Sequence, residues 1–171
     1  MHRFIPIVLA VLAAAGATAG SAGAAAPQIY GPFLNEYSFI GMNCDGFDIQ
    51  IEGAGTDTFT VWTDADGQIT KVVDRARYPH DTLTNTVTGK AIVNRGEFQE
   101  TLTPIPGTDE ATKTITGFRY FVNEPGAGVT IRDVGRITYG DLEQTLVLWE
   151  AGKHDLALDE QIEPTFCAAL A

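Results

Sequence analysis

The sequence predicts an all-β fold: a single antiparallel β-barrel or sandwich of about eight to nine strands with a disulfide-pinned C-terminal tail. Beyond residue 36, helical periodicity is hard to find, and Gly, Asp, Asn and Pro recur every eight to twelve residues. Thr, Val and Ile fill the intervals, which is typical of short strands joined by turns. The only two cysteines, Cys44 and Cys167, bracket this region.

The clearest strand pattern lies at 46–52, where Phe47, Ile49 and Ile51 alternate with polar residues. A period of two gives a strand one buried and one solvated face. Gly-rich and Asp-rich segments at 53–55 and 64–67 predict turns. We therefore expect a meander of three strands at 46–52, 56–63 and 68–74.

The remaining strands follow from the same alternation. Strand 141–149 ends apolar on both faces, which predicts a central position, and 153–157 is its expected hairpin partner. Gly135 interrupts its strand and predicts a bulge or a barrel corner. The tail at 164–171 is expected to be a short helix or coil. The other predicted strands lie at 81–88, 91–94, 97–105, 113–123 and 129–139.

The N-terminus predicts export. Arg3 precedes an uninterrupted apolar run at 4–15, which is too short to cross a bilayer core of about 30 Å but has the length of a signal-peptide core. Ala22-Gly23-Ala24 supplies the small residues of a cleavage site. We expect residues 1–24 to be the signal peptide, 25–36 an extended N-terminal arm, and 37–171 a single β domain. The predicted mature protein is secreted and keeps no membrane span.

Charge and cysteine content limit the classes of partner. The formal net charge is −11, and a surface of this sign repels nucleic acid and anionic membranes. In an oxidising compartment, Cys44 and Cys167 are expected to form a structural disulfide, because the predicted mature chain offers only His80 and His154 as further soft metal ligands.

Catalytic and metal motifs are scarce, so no catalytic residue, metal site or cofactor is predicted. Ser38 is the only serine of the predicted mature chain, and it lies in no Gly-x-Ser-x-Gly elbow. The segment at 64–67 begins like a calcium loop, but Val72 and Arg75 occupy the positions where oxygen ligands are needed. A turn is the better interpretation. In His154-Asp155, adjacent strand residues point in opposite directions.

One pair of charges carries the candidate ligand-binding site. Glu100 shares a face with Phe98 and Leu102, and Arg119 shares a face with Ile115. If these apolar residues mark the interior, Glu100 and Arg119 point inward and are expected to pair, because buried charges are rarely unpaired. The alternative is that the strand at 113–123 buries its opposite face, which leaves Arg119 in solvent.

Three short motifs resemble those of small secreted actinobacterial β proteins. They are the Asn-x-x-Thr-Gly-Lys turn at 85–90, the Gly-Arg pair at 135–136 and the Cys-Ala-Ala-Leu ending at 167–170. That family is uncharacterised, so the resemblance implies export, a disulfide and a β fold, and it transfers no catalytic residue.

Together these features favour a secreted, disulfide-closed β-barrel that acts by binding or surface interaction, with a small apolar ligand as the candidate partner. An interior lined by Phe, Ile, Val and Leu suits such a ligand. The alternative is a small cyclase-like barrel enzyme acting on a hydrophobic substrate, in which a few inward polar groups orient the substrate.

Overall fold

The computed structural model describes residues 26–124, 126 and 128–171, so the predicted signal peptide lies outside the described residues. The predicted all-β antiparallel fold is confirmed, and the described strands form one sheet in sequential order whose two edge strands are not joined. The described part of the chain contains seven strands rather than eight or nine. They are β1 (Gln28–Cys44), β2 (Phe47–Thr63), β3 (Ile69–Asn85), β4 (Ala91–Pro104), β5 (Ala111–Glu124), β6 (Gly128–Tyr139) and β7 (Val147–His154).

The strands are fewer because several predicted breaks lie inside longer strands. β2 continues through Gly53 and Gly55, where a turn was predicted. These glycines leave room for aromatic rings instead: a Cβ on Gly53 would lie 2.9 Å from the Tyr37 hydroxyl, and a Cβ on Gly55 would overlap the Tyr78 ring. The residues predicted as an N-terminal arm belong largely to β1 and pair with β2.

A row of aligned glycines bends the sheet across three strands. Gly117 pairs with Gly135, and Gly135 pairs with Gly152. All three have positive φ angles, of 121°, 135° and 124°, which residues with a side chain rarely adopt. A Cβ on Gly135 would also lie 2.8 Å from the Cα of Gly152. Of the two features predicted at Gly135, the bulge is wrong, because the pairing of β6 with β5 and with β7 continues through Gly135 without a register shift. The unusual backbone conformation instead extends across β5, β6 and β7.

The predicted central strand at 141–149 was wrong. Residues 140–146 form a loop, in which the Asp141 carboxylate accepts hydrogen bonds from the backbone and the hydroxyl of Thr145. The apolar residues that suggested burial begin β7, which is an edge strand, and Leu148 and Trp149 are about half exposed. No hairpin partner follows, because β7 itself ends at His154.

A C-terminal helix, α1 (Ile162–Leu170), packs on one face of the sheet and follows a short 3-10 turn at Asp159–Gln161. Its buried residues Ile162, Phe166 and Leu170 join one apolar cluster with residues from β1 to β6. In a flat sheet, β1 and β6 would be about 24 Å apart, whereas a helix is about 10 Å wide. The sheet must therefore curl around α1, and we call the side that holds α1 the concave face and the opposite side the convex face.

The turn after β3 ties the sheet to the end of α1. Asn85 is buried, its side-chain oxygen accepts hydrogen bonds from the backbone of Val87 and Thr88, and its side-chain amide donates to the Leu170 carbonyl at 3.0 Å. Lys90 Nζ lies 3.4 Å from the backbone oxygen of Ala171. Two of the sequence motifs, at 85–90 and 167–170, thus contact each other in the folded chain.

The predicted disulfide is present. Cys44, at the end of β1, bonds Cys167 in α1; their Cα atoms are 5.6 Å apart, and the two residues are 123 positions apart in sequence. The tail predicted as a short helix or coil is helical, and its bond to β1 holds it to the sheet. No helix in the described part of the chain is long and apolar enough to cross a bilayer.

Replacing both cysteines should loosen α1 before the sheet unfolds. In the chain-entropy model, closing a loop of this length stabilises the folded state by about 4–5 kcal/mol. We expect Cys44→Ala/Cys167→Ala to lower the free energy of unfolding by about that amount and to make the tail sensitive to proteases. Chemical denaturation and limited proteolysis measure both effects. Two alkylatable thiols in the unreduced wild-type protein would contradict the bond.

Candidate functional site

A band of polar side chains crosses the concave face from β1 to β7. Most of it lies between the apolar cluster around α1 and two smaller apolar clusters further along the strands, whereas Asp74, Glu100 and Lys113 lie beside the smaller clusters. Because residues paired across antiparallel strands share a face, the register places these side chains on one surface. We call this set the polar belt: Asn35, Tyr37, Asp57, Asp74, Tyr78, Asp81, Asn94, Glu100, Lys113, Arg119, Asp133 and His154.

The first part of the belt is built on Asp57. Its carboxylate accepts hydrogen bonds from the Asn35 amide at 2.5 Å and from the Tyr78 hydroxyl at 2.8 Å and 3.0 Å. Burial raises the pKa of Asp57, and these two donors partly offset that shift. Burial and the hydrogen bond to Asp57 also raise the pKa of Tyr78. Asp57 is thus fully engaged by its neighbours.

The second part is built on Asp81. The Tyr37 hydroxyl donates to one carboxylate oxygen at 2.5 Å, and the Asn94 amide donates to the other at 3.3 Å. Burial raises the pKa of Asp81, and the two donors again act in the opposite direction. The Asn94 oxygen accepts from the Phe121 backbone at 3.1 Å, which carries the network on to β5.

Aromatic rings form a continuous row beside these carboxylates. The row runs from Phe39 to Tyr37 at 6.0 Å between ring centroids, on to Tyr78 at 6.1 Å, and on to Phe98 at 6.5 Å. Such separations are those of interacting aromatic pairs. The glycines of β2 make the row possible, because they lie under the rings of Tyr37 and Tyr78.

Asp74 differs from the other belt carboxylates. It is partly buried, directly opposite Glu100 on β4, and its Oδ1 atom is buried without a hydrogen-bond partner in the described part of the chain. Its pKa is raised to about 7: burial has the largest effect, the negative charges of Asp57 and Glu100 act in the same direction, and a hydrogen bond from the Thr58 backbone partly offsets them. This carboxyl can therefore exchange a proton near neutral pH.

A buried ionic cluster closes the belt at β5 to β7. Arg119 Nε lies 3.2 Å from the Asp133 carboxylate, and His154 Nδ1 lies 2.5 Å from the other oxygen of Asp133. Arg119 also donates to the Leu156 carbonyl at 3.0 Å and to the side chain of Gln144. The cluster links the strands to the 140–146 loop, and its members are satisfied by one another.

The two predicted site residues lie in the belt but have different partners. Arg119 pairs with Asp133, and the Glu100 carboxylate lies 3.9 Å from Lys113 Nζ. For β5, the two alternatives were that Arg119 points inward or that the strand buries its opposite face. Each holds in part, because the pairing register shifts between Phe118 and Tyr120. Through that bulge, Arg119 is buried while Tyr120 also packs on α1.

Sequence reasoning missed Asp74, Asp133 and His154. Asp133 and His154 are directly paired across β6 and β7, but that register could not be known while β7 was placed elsewhere. As expected, His154 does not pair with Asp155, whose carboxylate instead contacts Lys153. The signal for Asp74 was available, since it alternates with the apolar residues Val72 and Ala76.

Two further points concern metal binding and similarity to known proteins. The predicted turn at 64–67 is confirmed, with Asp64 Oδ1 accepting from the backbone of Asp66 and Gln68. Residues 26–124, 126 and 128–171 contain no cluster of three or more metal-ligating His, Cys, Asp or Glu side chains. No family model, curated protein or solved structure matches the chain.

Substitution of Asp74 should change stability in a pH-dependent way. A carboxyl whose pKa rises from 3.8 to about 7 on folding favours the folded state when protonated, and that contribution is lost as the pH rises through about 7. We therefore expect Asp74→Asn to raise the free energy of unfolding by about 1–2 kcal/mol at alkaline pH, less than the full linkage value because water partly screens the carboxyl. Near pH 4 the variant and the wild type should be equally stable.

Thermal unfolding followed from acid to alkaline pH measures this difference. Glu97→Gln is the matched control, because Glu97 lies on β4 on the convex face with a side chain 61% exposed. That variant should follow the wild type at every pH. An Asp74→Asn variant that is destabilised at alkaline pH would show that the Asp74 carboxylate is well solvated or well paired.

Proposed function

We propose that this protein is an exported binding protein whose curled sheet acts as a barrel open on one side and holds a small ligand on the concave face. The observation that carries the proposal is Asp74: one of its carboxylate oxygens has no hydrogen-bond partner among the described residues, while the other belt carboxylates are engaged. A buried acceptor without a donor costs roughly 1–3 kcal/mol. A ligand that supplies the donor would remove that cost.

The surroundings of Asp74 indicate what kind of ligand fits. Phe59 is its direct neighbour on β2. Phe98, which stacks on Tyr78, lies opposite Ala76, the next residue on the same face of β3, so an apolar or aromatic body would find contacts. Asp74 and the opposite Glu100 both accept hydrogen bonds. The ligand class is therefore a small molecule with an apolar body and a hydroxyl or amine donor, and carboxylates would be repelled.

The predicted ligand-binding residues take different parts in this proposal. Glu100 contacts the ligand together with Asp74. Arg119 lies too deep for direct contact, and it holds Asp133 and the 140–146 loop in place behind the belt. In this proposal Arg119 is therefore a positioning residue, and it does not contact the ligand.

Two observations support export. The first is the N-terminal sequence, with its short apolar run and the cleavage pattern at Ala22-Gly23-Ala24. The second is the bond between Cys44 and Cys167, because disulfides persist mainly in oxidising compartments. The resemblance to small secreted actinobacterial proteins agrees with both.

A cyclase-like enzyme is the second candidate function, and one observation favours it. A carboxyl with a pKa of about 7 is suited to donate and accept protons at neutral pH. Asp74 would then act as the general acid or base on a hydrophobic substrate held by the aromatic row. The two functions differ in whether the bound molecule is released unchanged.

Ligand binding can be tested with isotope-labelled protein and a panel of small aromatic amines, aromatic alcohols and matching aromatic carboxylates. We expect amines and alcohols to shift the backbone NMR signals around Asp74, Phe98 and Glu100, and the carboxylates to shift none. Asp74→Asn replaces the charged acceptor with a neutral amide, and it should weaken the binding of the amines about tenfold or more, because hydrogen bonds to charged groups are the stronger ones. Glu97→Gln should bind as the wild type does.

Native mass spectrometry of the purified protein adds a second measurement, because it detects a ligand retained from the producing cell. A bound molecule that is returned chemically changed would favour the enzyme. Shifts confined to the convex face, or the absence of shifts for every compound together with a ligand-free native mass, would contradict binding on the concave face.

A further inference from the structure

The two edges of the sheet differ in how they are protected against pairing. β7 has the features that keep an edge strand free, because Glu150 and Lys153 place charges on it and Gly152 bends it at the glycine row. β1 is longer, with 17 residues, and Glu36 is its only charged residue. Its outward backbone groups have no partner strand among the described residues, since β1 pairs with β2 alone. β1 is therefore the edge that is more open to pairing with another strand.

Two bulges bracket a regular segment in the middle of β1. The pairing register with β2 shifts between Tyr30 and Phe33 and again between Ile40 and Met42. Between these shifts, residues 33–40 form an eight-residue edge that pairs with β2 without interruption. Its convex side exposes Leu34 by 70% and Ile40 by 52%. A regular, apolar and nearly uncharged edge of this length is a template for another strand.

We propose that a second copy of this chain pairs with residues 33–40 through a twofold axis at Tyr37. In an antiparallel twofold pair, residues on the same face oppose each other, so the axis must pass through a residue position. An axis at Glu36 would place two carboxylates opposite each other, which is destabilising. An axis at Tyr37 places Glu36 opposite Ser38 of the second copy and Leu34 opposite Ile40 of the second copy.

Charge also favours a second copy as the occupant. The chain has a formal net charge of −11, and most of its surface therefore repels another copy. The segment 33–40 carries only the charge of Glu36, so two copies that meet there bring few like charges together. The same register forms two apolar Leu34–Ile40 contacts, one on each side of the axis, which removes exposed side chains from water.

The mass of the purified protein in solution, produced from the full chain, tests the pairing. We expect sedimentation and light scattering to give twice the chain mass, falling to the monomer mass on dilution. Leu34→Lys should shift the protein to a monomer, because it places an ammonium group opposite the apolar Ile40 side chain of the second copy. Ile29→Lys is the matched control: Ile29 is also on β1 and 69% exposed, but it lies beyond the first bulge and should leave the dimer intact.

A charge pair tests the register. Adding Ile40→Glu to Leu34→Lys places a glutamate opposite the introduced lysine of the other copy, and dimerisation should return. A monomeric wild type at all concentrations would overturn the proposal and leave the edge to a foreign strand. Open-ended assembly would instead indicate pairing of β1 with β7 of another copy. A dimer that survives Leu34→Lys, or a double variant that stays monomeric, would exclude the register centred on Tyr37.

Discussion

The burial of α1 against the concave face is the constraint on which the rest of the structure depends. Phe166 and Leu170 pack with residues from six strands, and this is possible only if the sheet curls. Three devices make the curled arrangement stable: the bond between Cys44 and Cys167, the hydrogen bond from Asn85 to the helix end, and the glycine row of β5 to β7. Without them, nothing would hold a seven-stranded meander in a shape that encloses one face.

Enclosure then decides how the charges on that face are arranged. Carboxylates brought out of water must find donors or lose their charge. Asp57 and Asp81 find tyrosine and amide donors, and Asp133 finds Arg119 and His154. Asp74 is the exception, and the shift of its pKa to about 7 is the physical consequence. The candidate site is thus the place where the polar belt is incomplete, beside a row of aromatic rings.

Part of this could be predicted from the sequence. Alternation at 46–52 gave the right face of β2, and the isolated cysteine pair gave the disulfide, because both signals are local or have no competing partner. Gly53 and Gly55 were misread as a turn, because a glycine under an aromatic ring from a neighbouring strand looks the same in sequence as a glycine in a turn. Arg119 was assigned the wrong partner, Glu100, because its contact with Asp133 depends on the β5 bulge and on the β6 register, which the sequence does not reveal.

The pKa of Asp74 tests most directly whether the concave face is enclosed. A pH titration monitored by NMR of the side-chain carboxyl carbon measures this pKa, and the signal of Asp74 is identified by its loss in Asp74→Asn. We expect a midpoint at about pH 7, because the concave face keeps this carboxyl from water and the described residues give one of its oxygens no donor. A midpoint at about pH 4, the value of a solvated aspartate, would contradict both the enclosed face and the candidate site built on it.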